Sequence, residues 1–358
     1  MAYTTIDDPS AYFQVHYWVG TSTGDGVAQT FGGNSDLQPD FIWHKHNGSS
    51  DHGLFTSSLI ANDDGDTTRT IPVSNRSEVP YNNNGGVDFS SFDSDGFTLD
   101  SSSQIDTANN NGVFTVNWCW KANGGTTATN GDGNSANDSV TQVNSTSKFS
   151  IVKFENGDEG NGTTFGHGLG VKPGFSLIKN RDVDQSWYAH WPSTQGANQS
   201  TALDGTAAVQ TVSGFAGFNT STITQGQGDD DNYICFLWAN VQGFSKFGLY
   251  TGNGLANGPV VNLGFKPAFI IIKKTSGIGQ WLMYDNKRNE HNPTTSWFAA
   301  ESSAAQTADS NKDIDLLSMG FKAKDTGGDM NDNGGTYAYA AWAQSPVVTS
   351  TGVPATAV

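Results

Sequence analysis

Arginine is nearly missing from this chain. It occurs only at Arg69, Arg76, Arg181 and Arg288, and 18 Lys and Arg stand against 35 Asp and Glu, a formal net charge of −17 in 358 residues. Neutralising phosphates and releasing their counterions takes clustered cations, so this composition argues against direct nucleic-acid binding. An acidic surface instead favours solubility, with salt blunting its self-repulsion. Cysteine is equally scarce. Cys119 and Cys235 form no disulfide framework and read as reduced core thiols. No apolar run approaches the roughly 18 residues of a membrane span. The opening residues Met1 to Ser10 lack a basic segment ahead of an apolar core, so the expectation is a soluble protein with no membrane insertion and no standard export signal. Helix formers are sparse, while 43 glycines and 11% aromatics suit short strands and tight turns. One stretch, residues 295–306, reads either as a short helix or as a strand followed by a loop.

What is present is repetition. Pro39-Asp-Phe41-Ile-Trp-His-Lys45, Pro173-Gly-Phe175-Ser-Leu-Ile-Lys179 and Pro267-Ala-Phe269-Ile-Ile-Ile-Lys273 share the frame Pro-x-Phe-x-x-x-Lys. A Gly-Phe pair follows in each (Gly96-Phe97, Gly217-Phe218, Gly320-Phe321), then a tryptophan closing an aromatic run: Trp120, Trp238, Trp342. Phe13-Gln-Val-His-Tyr17, Lys148-Phe149-Ser-Ile-Val and Lys246-Phe247-Gly-Leu-Tyr250 open the three copies. Landmarks recurring in fixed order mark a repeated supersecondary unit. The frame divides the chain into an N-terminal arm (1–10), three copies (11–147, 148–245 and 246–346) and a C-terminal tail (347–358). The first copy carries insertions before its Gly-Phe pair and after Trp120, and these are expected in surface loops.

Short apolar runs such as Phe269-Ile-Ile-Ile, bounded by proline and polar turns, read as buried strands of hairpins. Aromatic and small residues alternating in Tyr337-Ala-Tyr-Ala-Ala-Trp342 read as a strand packed against a second sheet. The fold class expected is all-β, three tandem antiparallel β-sandwich modules of jelly-roll or lectin-like form. Phe41, Phe175 and Phe269 should occupy equivalent buried positions, and Trp120, Trp238 and Trp342 likewise. Lys45, Lys179 and Lys273 end the buried strand, where the stem can lie on apolar surface while the ammonium reaches water. The arm and tail are too polar to fold alone, so a neighbouring chain or module must hold them.

The chemistry-bearing residues form no recognisable machine. His44 and His46 lie two apart on a strand with His52 across the hairpin, but nothing completes a metal set, and ordinary surface histidines are the preferred reading. The acidic turns Asn62-Asp-Asp-Gly-Asp66, Asp229-Asp-Asp231 and Asp329-Met-Asn-Asp332 resemble calcium loops in composition only and read as solvated turns. Glu78, Glu155, Glu159, Glu290 and Glu301 fall in loop-like settings, so a paired-carboxylate glycosidase is disfavoured. No nucleophile elbow, phosphate loop or cofactor motif occurs. The long loops of the first copy, 62–84 and 123–144, are the expected ligand contacts, with Arg76 and Tyr81 able to hold or stack on a sugar.

The motif string itself carries a resemblance. Lys246-Phe247-Gly-Leu-Tyr-Thr-Gly-Asn-Gly254, Gly264-Phe-Lys-Pro-Ala-Phe-Ile-Ile-Ile-Lys273, Tyr284-Asp-Asn-Lys-Arg-Asn289 and Asp313-Ile-Asp-Leu-Leu-Ser-Met-Gly-Phe321 are similar to a repeat family of virion structural proteins of marine tailed phages. The opening Ala2-Tyr-Thr-Thr-Ile-Asp-Asp-Pro-Ser10 resembles it too. The resemblance implies a non-enzymatic structural protein on the phage particle, either a tail-fibre-type appendage contacting the host surface or a capsid decoration. A polysaccharide depolymerase is the rival from another class. The implied partners are other virion proteins, a host cell-surface glycan and further copies of the chain. The family supplies no catalytic residues.

Overall fold

A computed structural model describes the chain except residues 1, 22–26, 48–53, 58, 60–69, 72–88, 100–108, 110, 157–161, 197, 213–214, 227–230, 309–310 and 355–358. After a short 3-10 turn at Pro9–Ala11, every described regular element is a β-strand. The first stretch of chain forms β1 (Phe13–Val19), β2 (Val27–Thr30), β3 (Phe41–His46), β4 (Leu54–Ser57), β5 (Thr70–Ile71), β6 (Phe89–Asp93), β7 (Gly96–Leu99), β8 (Phe114–Trp120), β9 (Ala128–Asn130) and β10 (Ser139–Asn144). Next come β11 (Phe149–Glu155), β12 (Thr164–Gly166), β13 (Phe175–Asn180), β14 (Tyr188–His190), β15 (Gln199–Ala202), β16 (Gln210–Thr211), β17 (Phe215–Phe218), β18 (Thr222–Gln225) and β19 (Asn232–Trp238). The last are β20 (Ser245–Thr251), β21 (Val260–Asn262), β22 (Phe265–Lys274), β23 (Trp281–Asp285), β24 (Ser296–Ala299), β25 (Thr307–Ala308), β26 (Ile314–Leu317), β27 (Gly320–Ala323) and β28 (Thr336–Pro346). Residues 295–306 are thus a strand and a turn, not a helix. Among the described residues no helix is long and apolar enough to cross a membrane.

The pairing repeats itself. The main sheets run β1-β8-β3-β4-β5, then β11-β19-β13-β14-β15-β16, then β20-β28-β22-β23-β24-β25. Each is accompanied by a three-stranded sheet: β2-β7-β6, β12-β18-β17 and β21-β27-β26. All of these pairs are antiparallel, and the ladders align the landmark residues: Phe41 lies opposite Trp120, Phe175 opposite Trp238 and Phe269 opposite Trp342. Antiparallel partners bring side chains on one face together, so each Phe-Trp pair stands as a unit on its sheet.

Those units meet. Trp120, Trp238 and Trp342 form a triangle of edge-to-face contacts with ring centroids 5.5, 5.1 and 5.5 Å apart. Phe41 stacks on Phe236 at 4.1 Å and Phe269 on Trp118 at 4.5 Å, so each sheet interlocks with the others around the triangle. One continuous apolar core therefore contains the inner faces of all three main sheets. On the outer faces, Ile42 and Cys119 pack with Phe97 and Leu99 of the small sheet, and Ile178 and Cys235 with Phe165 and Ile223. Both cysteines are buried free thiols.

Two expectations are corrected. Residues 128–130 and 139–144 are strand and not loop: β9 and β10 pair with each other, β10 extends the sheet of the second copy through β11, and the mostly exposed residues 131–138 connect them. The landmark Gly217-Phe218 lies on β17, whereas the ladder position of Gly96-Phe97 and Gly320-Phe321 belongs to Thr222-Ile223 on β18. The glycine at this position is obligatory in the first copy, because Gly96 has φ +130° and an added Cβ would fall 1.9 Å from the Gln29 carbonyl oxygen. The described parts of the two ends are held in one of the two expected ways, by a module, here of their own chain. Ile6 is part of the shared core, Tyr3 Oη donates to the Gly264 carbonyl at 2.6 Å, and Ser350 donates to the Asp7 carboxylate.

Candidate binding cleft

The repeated lysines were expected to reach solvent, and they do not. Lys45, Lys179 and Lys273 are fully buried. Lys45 Nζ donates to the carbonyls of Ala299 and Ser302, each at 2.8 Å, and lies 5.3 Å from the Phe298 ring centre. Lys179 donates to the Gln185 carbonyl at 2.7 Å, and Lys273 to those of Lys274 at 2.8 Å and Thr206 at 3.2 Å. Lys45 and Lys273 thus tie one copy to the loop that follows the fifth strand of another. Burial pushes the Lys45 ammonium down to about 7, partly opposed by the Glu301 carboxylate, and pushes Lys179 and Lys273 down to about 8. Glu301 accepts from the Trp281 N–H at 3.0 Å, and burial raises its carboxyl above the usual range. Beside it Arg288 is locked to Asp285 at 2.6 Å, with both side chains all but inaccessible. Its guanidinium also lies over Phe298 at 4.3 Å.

His44 and His46 are likewise buried, not surface groups: both their strand neighbours and the packed sheets cover them. His44 Nδ1 is 2.8 Å from Asn117 Oδ1, and His52 lies outside the described residues. Among the described residues no group of three or more His, Cys, Asp or Glu could hold a metal ion. In the acidic turns, Asp329 bonds Lys312 at 2.7 Å, Asp332 pairs with Lys274, and Asp231 accepts from Asn180 at 2.7 Å. The turn at 62–66 and the proposed sugar contacts Arg76 and Tyr81 lie outside the described residues.

A concavity lies elsewhere. A cleft of ≈ 700 Å³ runs between the first and third copies, with β1 on one side and the start of β22 and end of β28 on the other. Phe13, Gln14, Val15, His16 and Tyr17 line it in succession. Five consecutive strand residues present both faces in turn, so it is the edge of β1 that borders the cleft. Lys266, Asn286 and Lys287 stand on the other wall, and Asp7, Asp8 and Ser10 close one end. The end wall is rigidly built: Asp8 accepts from Ser10 Oγ and Ser35 Oγ, each at 2.6 Å, while Gln14 Nε2 donates to the carbonyls of Ser10 and Ser35 at 3.0 Å. His16 Nε2 sits 3.1 Å from Gln29 Oε1, and burial together with the nearby Lys287 charge lowers its pKa. Tyr17 is 40% exposed and offers a ring at the open end.

Phe13 to Tyr17 stand in the sequence as the opening landmark of the first copy, but nothing local in that stretch marks it as the wall of a cleft. The available signal was comparative: the alternating Ser139-Val-Thr-Gln-Val143 precedes the second copy, and no such strand precedes Phe13. No curated protein and no solved structure matches the chain. A family match spans residues 8–346, nearly the full length and all three copies of the pairing pattern. The chain belongs to the family described as a domain of unknown function, DUF7483.

Proposed function

We propose that the protein is a non-enzymatic structural component of a tailed-phage virion, displayed on the particle as a tail appendage that meets the host surface. The motif resemblance, which extends through all three copies, motivates the virion placement. The observation that carries the non-enzymatic reading is the employment of the buried ionisable groups by the fold itself. Lys45, Lys179 and Lys273 are held by main-chain carbonyls, Arg288 by Asp285, and the cleft carboxylates of Asp7 and Asp8 by serines. A general acid or nucleophile needs a group left available to substrate.

Capsid decoration is the second reading, favoured by the way residues 3–8 and 349–354 fold back on the body and each other. An attachment arm would project. Cryo-electron microscopy of intact particles, with the protein located by its three-sheet density, tests the placement: density at the tail supports the appendage, density on the head supports decoration, and absence from particles rejects both. Incubation with host polysaccharide and a reducing-end assay tests the depolymerase rival, with no new reducing ends expected. Adsorption of particles carrying Arg76→Ala and Tyr81→Ala should fall if the first copy's loop holds a host glycan.

A further inference from the structure

The first strand of a copy has a free edge, and the molecule itself shows what fits there. In the second copy β11 lies between β19 and β10, with Asn144 opposite Phe149, Gln142 opposite Ile151 and Val140 opposite Lys153. In the first copy, among the described residues, β1 pairs with β8 alone and ends its sheet. The two strands are equivalent, since Phe13 faces Trp120 as Phe149 faces Trp238. The bond from the Lys121 N–H to the Tyr12 carbonyl at 3.0 Å fixes the phase of the β1 ladder. Antiparallel pairing alternates, so even-numbered residues of β1 bond to β8, and Phe13, Val15 and Tyr17 direct N–H and C=O the other way, into the cleft.

We propose that this cleft is a strand-docking site, and that its occupant is an extended acidic segment of another protein, added beside β1 as β10 is added beside β11. Exposed edges are templates for such pairing, with main-chain hydrogen bonds supplying affinity and side-chain pockets selectivity. The chemistry of the occupant follows from the walls. Lys287 stands on the wall across from β1, and the carboxylates of Asp7 and Asp8 at the end are bonded to Ser350, Ser10 and Ser35. A carboxylate-bearing strand complements Lys287 at the point of contact. The site does not depend on where the protein resides.

The test uses the full chain and a blocked synthetic peptide of the β10 sequence, Asp138-Ser-Val-Thr-Gln-Val-Asn144, whose aspartate supplies the charge. Binding is read by titration calorimetry and by amide exchange. The peptide should bind, slow exchange of the Val15 and Tyr17 amides without affecting those of Gln14 and His16, and lose at least tenfold in affinity against Lys287→Glu. A peptide N-methylated at alternate residues on its pairing edge should not bind. Tyr17→Pro, which removes a cleft-facing N–H together with the ring, should weaken binding more than Tyr17→Ala, which removes the ring alone, while circular dichroism and Tm confirm the fold of both. Equal binding of the N-methylated peptide, protection of the even-numbered amides, or no binding at millimolar peptide would overturn the proposal. So would concentration-dependent self-association that protects the same amides, since it would make a second copy the occupant.

Discussion

On the inner faces of the main sheets one pair of residues recurs at one ladder position: Phe41 with Trp120, Phe175 with Trp238, Phe269 with Trp342. One residue along, on the outer faces, the equivalent pairs are Ile42 with Cys119, Ser176 with Leu237 and Ile270 with Ala341. The inner pairs must interlock with two neighbouring sheets at once, so a change of shape in one is felt by all three. In the first two copies Ile42, Cys119 and Leu237 belong to separate clusters with the small sheets, whereas Ile270 and Ala341 join the shared core. Close-packed interiors tolerate substitution where few partners must agree. The recurring landmarks in the sequence are therefore the residues that meet at the centre.

The largest expected effect lies at that centre. Trp238 touches both other tryptophans as well as Phe41, Phe149 and Phe175. Trp238→Ala should cost about 3–5 kcal/mol, as should Phe269→Ala, measured by denaturant unfolding of the full chain. Ile6→Ala should cost about 2–4 kcal/mol, since the N-terminal arm contributes to the same core. An arm that merely lies on the surface would show no such loss. In the outer seam Ile178→Val should cost only about 0.5–1.5 kcal/mol. Equal effects for inner and outer truncations of matched size would dissolve the distinction.

A smaller effect is set by pH. The folded-state pKa of Lys45, about 7, lies below its unfolded value near 10.5. Between these values the unfolded chain binds more protons at this residue, so its contribution to stability rises with pH across that window and is least favourable below pH 7. In Lys45→Met this part of the rise should vanish from the pH dependence of Tm. An unchanged profile would mean the ammonium is not buried as described. His190, pushed down to about 4 by burial, has the same sign at lower pH: its contribution is lost as pH falls from about 6.5 towards 4.

The strands and the repeat were legible because their causes are local. Phe269-Ile-Ile-Ile is a continuous apolar run, and Trp281-Leu-Met-Tyr284 follows a polar turn; both became neighbouring buried strands. Lys45 was misread because snorkelling is a local rule, whereas the carbonyls that hold it belong to residues 299 and 302, more than half the chain away. Within 123–144, whose glycine and asparagine content reads as loop, residues 128–130 and 139–144 are strands. Their strand character comes from the open edge of β11, which no local window contains. Gly217-Phe218 matched the other Gly-Phe pairs in letters but not in ladder position, because the second copy places its glycine, Gly166, across the ladder from Thr222. The cleft was invisible for the same reason, being formed by residues of β1 and of β22 and β28.

The central claim is that three copies fold around one shared core and not as three separate cores. Differential scanning calorimetry of the full chain tests it most directly. A shared core predicts one transition whose calorimetric and van't Hoff enthalpies agree, shifted as a whole to lower temperature by Trp238→Ala. Two or three resolved transitions, with Trp238→Ala moving only one of them, would contradict it.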